Sequence, residues 1–147
     1  MTDKAIRNAK EYFNSDLNCS QSVFRAILEE KGIFFDDALN IAAGFGGGTG
    51  LEGNTCGVVN GAVMAIGMRL GQKESDPVKV KEQAYIETKR FLKAFRDNFG
   101  TTMCAELTQV DMKNQEALQK ASDEGLFQRI CPAYLEGAVE LVLQMDL

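Results

Sequence analysis

Residues 76–100 read DPVKVKEQAYIETKRFLKAFRDNFG, and this stretch indicates the fold class. Asp76 is a favourable N-cap, Pro77 suits the first helical turn, and Gly100 is a favourable stop signal. Between them, core-type residues recur every three or four positions: Val80, Ala84, Thr88, Phe91, Phe95 and Phe99. Charged residues of the opposite face are expected in solvent: Lys79, Lys81, Glu82, Glu87, Lys89 and Arg90. The stretch predicts a long amphipathic helix.

Helical periodicity continues on both sides of this segment, and no run alternates apolar and polar residues as a half-buried strand does. Only two prolines interrupt the pattern. The further predicted helices cover roughly residues 4–13, 19–31, 38–43, 56–70 and 105–121, with a last one starting at Pro132. A glycine-rich loop, Gly44–Gly57, precedes the fourth helix. We therefore expect an all-α, single-domain helical bundle over residues 1–147, with about five to seven helices.

Composition and charge restrict the classes of function. The chain has 147 residues, a net charge of −5, four cysteines and no histidine. The missing histidine excludes Cys–His and Ser-His-Asp catalysis and a histidine-ligated haem. The net negative charge argues against a nucleic-acid partner, because the phosphate backbone attracts positively charged surfaces. The N-terminal residues lack the apolar core of a signal peptide, and no stretch is a convincing membrane span, so a cytoplasmic protein without a membrane partner is expected.

The four cysteines are far apart in the sequence and form no CxxC motif. Each stands beside a predicted helix start: Cys19 follows Asn18, Cys56 and Cys104 follow polar caps, and Cys131 precedes Pro132. A helix N-terminus stabilises negative charge, so lowered thiol pKa values are expected there. This placement predicts one shared site, with the cysteines as catalytic residues or metal ligands, although free cysteines are also often inert core residues.

The glycine-rich loop leads directly into Cys56 and lacks the sequence context of a phosphate-binding loop, so no nucleotide is expected. Glycine lets backbone N–H groups approach a bound group closely. We therefore expect Gly46, Gly47, Gly48 and Gly57 near the sulfur atoms or a cofactor. Gly57 and Gly61 lie four positions apart and predict close approach of another helix.

The pattern resembles the C_GCAxxG_C_C family of four-cysteine proteins, described as redox-active. The matching segments are NCSQSVF, GFGGGTG, TCGVVNGAVMAIG, FGTTMCAEL and CPAYLEGAVEL, in this order along almost the whole chain. Val58 stands where the CGAxxG motif has alanine. The family is similar to part of the split-Soret cytochromes, which carry haem. This chain has neither CxxCH nor histidine, so a covalently attached c-type haem is not expected, whereas an iron–sulfur cluster remains an option.

Two classes of function follow from these residues. The first is a redox protein, either a thiol-dependent oxidoreductase or an electron carrier with an unidentified redox partner. Its cysteines would cycle between dithiol and disulfide, with Cys56 as the attacking thiolate, or would bind an iron–sulfur cluster or zinc. The second is a non-catalytic helical interaction module with inert buried cysteines, whose phenylalanine-rich helix would serve a partner or a homodimer interface.

Overall fold

Eight α-helices and one turn of 3-10 helix build the protein in the computed structural model, which describes all 147 residues. The helices are α1 (Thr2–Phe13), α2 (Cys19–Glu30), α3 (Ala38–Ala42), α4 (Gly57–Lys73), α5 (Pro77–Phe99), α6 (Cys104–Thr108), α7 (Gln115–Asp123) and α8 (Leu126–Gln144). The 3-10 turn, Ala43–Phe45, follows α3. The chain has no β-strand, and the all-α prediction is confirmed, with one helix more than expected.

Local signals start and stop the helices where the sequence predicted them in several places. The Asn18 side chain accepts a hydrogen bond from the Gln21 N–H, and the Gln21 side chain accepts one from the Asn18 N–H, which forms a capping box at α2. The Asp76 side chain caps α5, and Gly100 ends it in the left-handed conformation, with φ +88°. The Asn18 cap fixes the N-terminus of α2, where Cys19 is the first helical residue.

Helix α2 lies at the centre of the bundle, packed against α1, α3, α4 and α8. Its closest neighbour is α4, because Gly61 has no side chain. A Cβ atom at Gly61 would lie 2.7 Å from the Ser20 carbonyl oxygen. The predicted role of Gly61 in close helix packing is confirmed. The main core combines side chains from α1, α2, α4, α5 and α8, including Ile27, Ile66, Phe95 and Val139.

Three predicted helix boundaries are wrong. Helix α4 continues through Gly71 to Lys73, because Gly71 keeps a helical conformation there. The stretch 105–121 contains two short helices, α6 and α7, separated where Gln109 adopts φ +57°. The last helix begins at Leu126, after Gly125 in the left-handed conformation, and Pro132 lies inside it.

The predicted stripe of α5 is confirmed at Phe91 and Phe95, which are fully enclosed in the core, whereas its other members are half-buried: Val80, Ala84, Thr88 and Phe99. Glu87 departs from the predicted solvated face, since it is only 6% exposed. Its carboxylate accepts hydrogen bonds from Gln83 and Arg90, which offset the loss of hydration. No helix of the protein combines the length and apolarity that crossing a membrane requires.

Candidate functional site

All four cysteines line one cavity of about 280 Å³, which we call the four-cysteine cavity. They come from four different elements: the start of α2, the residue before α4, the start of α6 and the interior of α8. The remaining lining residues are Phe13, Ser15, Leu17, Asn18, Gly47, Leu51, Val58, Leu107, Thr108, Met112, Leu118, Phe127, Gln128 and Tyr134. None of them carries a charge, and most are apolar. The fold therefore brings together the distant cysteines that the sequence analysis assigned to a shared site.

The cavity has a buried end and an exposed end. Cys56 and Cys104 are each 6% exposed, whereas Cys19 and Cys131 are half-buried. Leu51 and Gln128 are exposed lining residues, so they lie where the cavity meets solvent. All four thiols are free, and none forms a disulfide.

A short antiparallel bridge between Thr55 and Met103 holds two of the cysteines in place. The Cys56 N–H donates to the Thr102 carbonyl at 2.8 Å, and the Cys104 N–H donates to the Asn54 carbonyl at 2.7 Å. Backbone hydrogen bonds between residues far apart in sequence thus fix the start of α6 against the start of α4. This explains how Cys56 and Cys104 reach the same end of the cavity.

The prediction that every cysteine lies beside a helix start holds for three of the four. Cys19 and Cys104 are first helical residues, and Cys56 is the N-cap of α4. Cys131 contradicts it, because α8 begins at Leu126 and Cys131 lies well inside the helix. The Cys131 N–H forms a hydrogen bond within α8, and Pro132 has no N–H. No unpaired N–H group of a helix start therefore faces the Cys131 thiol.

The predicted lowering of the thiol pKa values is wrong. Burial raises the pKa of all four thiols above the ordinary value of 9.0, to about 11 for Cys104 and to about 12 for Cys131. Neighbouring cysteines raise the pKa of Cys56, Cys104 and Cys131 further, because a second negative charge would be close. The cavity lining supplies no positive side chain, so desolvation outweighs the helix N-termini. The thiols are neutral at pH 7.

Cys19 has the best surroundings for a negative charge. Burial raises its pKa, but the backbone N–H groups of Gly47, Ser20, Val58 and Cys19 itself act in the opposite direction. These groups belong to the glycine-rich loop and to the first turns of α2 and α4. Cys19, rather than the expected Cys56, is therefore the thiol with the most backbone N–H groups that favour its negative charge.

The glycine-rich loop approaches the cysteines at specific positions. A Cβ atom at Gly57 would lie 2.5 Å from Cys19 Sγ, and one at Gly48 would lie 2.7 Å from Cys104 Cβ. Gly47 lines the cavity with φ +64°. Gly46 differs, since it packs against the Asn18 side chain and does not line the cavity. Three of the four glycines predicted near sulfur are thus next to cysteines or the cavity.

The cavity lining offers four sulfur atoms and no carboxylate or histidine that would compete with them. The type and the number of these ligands fit a group held by thiolates. No group of three or more His, Cys, Asp or Glu side chains is already arranged to hold a metal ion. The four thiols line one shared space, and thiolates of this kind are ligands of both all-cysteine zinc sites and iron–sulfur clusters.

Sequence reasoning missed Tyr134 as a residue of the site. Its hydroxyl donates to the Leu107 carbonyl at 2.8 Å, and its ring packs edge-on against Phe99. Tyr134 follows Cys131 by one helical turn, so its position in the sequence was a usable signal once both were placed on the same helix. The apolar residues Met112, Leu118 and Phe127 gave no such signal, because ordinary core residues have the same pattern.

An all-α bundle with four cysteines around one apolar cavity defines a class of small four-cysteine helical proteins. The chain belongs to the C_GCAxxG_C_C family, whose model is described as "Putative redox-active protein" and matches residues 17–145. It is similar to an "Uncharacterized protein" of Archaeoglobus fulgidus, with 26% identity over 149 residues that cover 96% of this chain and 92% of the relative. No solved structure matches the chain.

Proposed function

We propose that this protein is an electron carrier whose four cysteines hold an iron–sulfur cluster. The observation that carries the proposal is the four-cysteine cavity, because four thiols from separate elements line the same space of about 280 Å³. The cavity walls are mostly apolar and include four thiols, so a group held by thiolates would account for an open space at this place. When bound, such a cluster supplies reversible one-electron transfer.

Cys19, Cys56, Cys104 and Cys131 would be the ligands in this proposal. Their raised pKa values make them poor nucleophiles without a cofactor, but binding to iron deprotonates a thiol outright. The negative charge of four thiolates needs compensation in an uncharged cavity. The backbone N–H groups near Cys19 supply part of it. The apolar walls limit access of water and so lower the local dielectric constant around the site.

A second candidate function is dithiol–disulfide exchange, which the N–H groups around Cys19 favour. The Cys19 thiolate would attack a substrate disulfide, forming a mixed disulfide and releasing one substrate thiolate, which takes up a proton. A second cysteine thiolate would then attack Cys19 Sγ. This step forms an internal disulfide, oxidises the two cysteines and releases the substrate's other sulfur as a thiol.

Anaerobic purification, with iron and sulfide reconstitution where needed, separates these functions. We expect visible charge-transfer absorption that dithionite bleaches, together with iron and acid-labile sulfide bound to the protein. If elemental analysis found zinc and no sulfide, the iron–sulfur cluster would be contradicted, and the cysteines would form a zinc site instead. Metal-free protein with two thiols that appear only after reduction would support dithiol exchange instead. Four metal-free, unreactive thiols would favour the inert interaction module.

A further inference from the structure

Helix α6 has only five residues and carries Cys104 as its first residue. Its start is fixed by the Cys104 N–H, which donates to Asn54, and by the Ala105 N–H, which donates to Gly53. Its end depends on side chains, because the last carbonyls of a helix have no partner within the helix. These contacts decide how firmly Cys104 is held.

Three side-chain donors occupy the carbonyls of α6. Thr108 Oγ1 donates to the Cys104 carbonyl at 2.7 Å, and Gln109 Nε2 donates to the Glu106 carbonyl at 2.7 Å. Both donors belong to the same local segment. The third, the Tyr134 hydroxyl, donates to the Leu107 carbonyl and comes from α8. It is the side-chain hydrogen bond that joins the helix of Cys104 to the helix of Cys131.

The Tyr134 ring is itself held in one orientation. It packs edge-on against Phe99, with 5.1 Å between ring centroids, and Phe99 in turn packs against Phe95 in the main core. Burial and the nearby Cys131 and Cys56 raise the pKa of the Tyr134 phenol, so its hydroxyl remains a proton donor at physiological pH. The packing of its ring against Phe99 thus fixes the position from which the hydroxyl reaches α6.

We propose that Tyr134 is a positioning residue, whose hydrogen bond to Leu107 sets the spacing of Cys104 and Cys131 across the four-cysteine cavity. Its effect on an iron–sulfur cluster rests on the proposed function, but its effect on the thiols does not. Without the hydroxyl, α6 is tied to α8 only through packing. Cys104 then becomes more mobile, while Cys19, on the well-capped α2, stays in place.

Tyr134→Phe removes the hydroxyl and keeps the ring that packs on Phe99. Tyr12→Phe is the matched control, because the Tyr12 hydroxyl also donates a hydrogen bond between two helices, to Glu29, but Tyr12 does not line the cavity. The assay is the alkylation rate of each cysteine in reduced, metal-free protein, resolved by mass spectrometry of peptides. Losing one neutral hydrogen bond predicts about a fivefold faster alkylation of Cys104 in Tyr134→Phe. Cys19 should change by less than about twofold, and Tyr12→Phe should leave all four rates unchanged.

Iron release to a chelator is the second readout, and it should be faster in Tyr134→Phe than in Tyr12→Phe. An unchanged Cys104 rate would overturn the proposal. Equal acceleration of all four cysteines would also overturn it, because a general loss of stability produces that pattern. If no cluster forms in any variant, the proposed function fails, while the thiol rates still decide the role of Tyr134.

Discussion

At the scale of single residues, Gly57 approaches Cys19 so closely that no side chain fits between them. The Cys19 sulfur occupies the space that a side chain at position 57 would need, and the Phe45 carbonyl lies 2.8 Å from the same point. A backbone carbonyl cannot move away as easily as the end of a flexible side chain. The glycine of the TCG motif therefore has the steric role that its spacing from Gly61 predicted, and Cys19 is the residue that needs the space.

Gly57→Ala tests this contact. We expect overpacking to lower the free energy of unfolding by about 1–3 kcal/mol and to displace Cys19, so that iron binding is reduced. Gly67→Ala on the same helix is the control, because nothing lies within 4 Å of its added methyl group. That variant should be unchanged or more stable by up to about 1 kcal/mol, as alanine favours the helix. Urea unfolding and iron content measure both effects, and similar results for the two variants would contradict the contact.

At the scale of helices, the two prolines occupy different kinds of position. Pro77 is the first residue of α5, where a missing N–H costs nothing. Pro132 lies inside α8, where it leaves the Gln128 carbonyl without its helical donor. The same residue type is therefore favourable in one helix and costly in the other.

Pro132→Ala should raise the free energy of unfolding by about 1–2 kcal/mol, since it restores one helical hydrogen bond and the gain exceeds the added flexibility of the unfolded chain. Pro77→Ala should lower it slightly or leave it unchanged. Urea denaturation followed by circular dichroism measures both. If Pro132→Ala were no more stable than the parent protein, the placement of Pro132 inside α8 would be in question.

The sequence predicted the helices that have strong caps and long apolar stripes, such as α2 and α5. It failed at α8, because a proline is more often found in a first turn and the six preceding residues have no clear stripe. It also failed at α6 and α7, because a continuous polar stretch does not reveal a single left-handed residue such as Gln109. Tertiary contacts decide such boundaries, and the periodicity of the sequence carries no information about those contacts.

At the scale of the whole molecule, the gathering of the cysteines was predictable but their electrostatics were not. Their order and their polar flanks indicated a shared site. The pKa values depend on what surrounds the cavity, and its apolar lining comes from residues such as Met112 and Phe127 that look like ordinary core. Burial dominates because the lining supplies no cation to balance a thiolate.

The raised thiol pKa values predict how stability varies with pH in the reduced, metal-free protein. Well below the ordinary thiol pKa of 9.0, the thiols are protonated in both folded and unfolded chains, and they contribute no pH dependence. Between about pH 9 and pH 11, the unfolded chain loses thiol protons that Cys104 and Cys131 retain when folded, so stability falls as pH rises. Urea midpoints across this range measure the effect.

The Cys104→Ala, Cys131→Ala double variant is the control for that experiment, because lysines and tyrosines also titrate at high pH. We expect a shallower loss of stability in the double variant than in the parent protein. Identical slopes would mean that these two thiols are not desolvated in the folded state, contrary to the geometry of the cavity.

The central claim is that four cysteines, distant in sequence, serve one site. Its most direct test is the iron and acid-labile sulfide content of the four single Cys→Ser variants, reconstituted without oxygen beside the parent protein, with helical content checked by circular dichroism. We predict that the parent binds a cluster and that each variant, Cys56→Ser included, loses most of it or binds it with an altered spectrum while remaining helical. A variant with the parent's iron content and spectrum would show that its cysteine lies outside the site and would contradict the account.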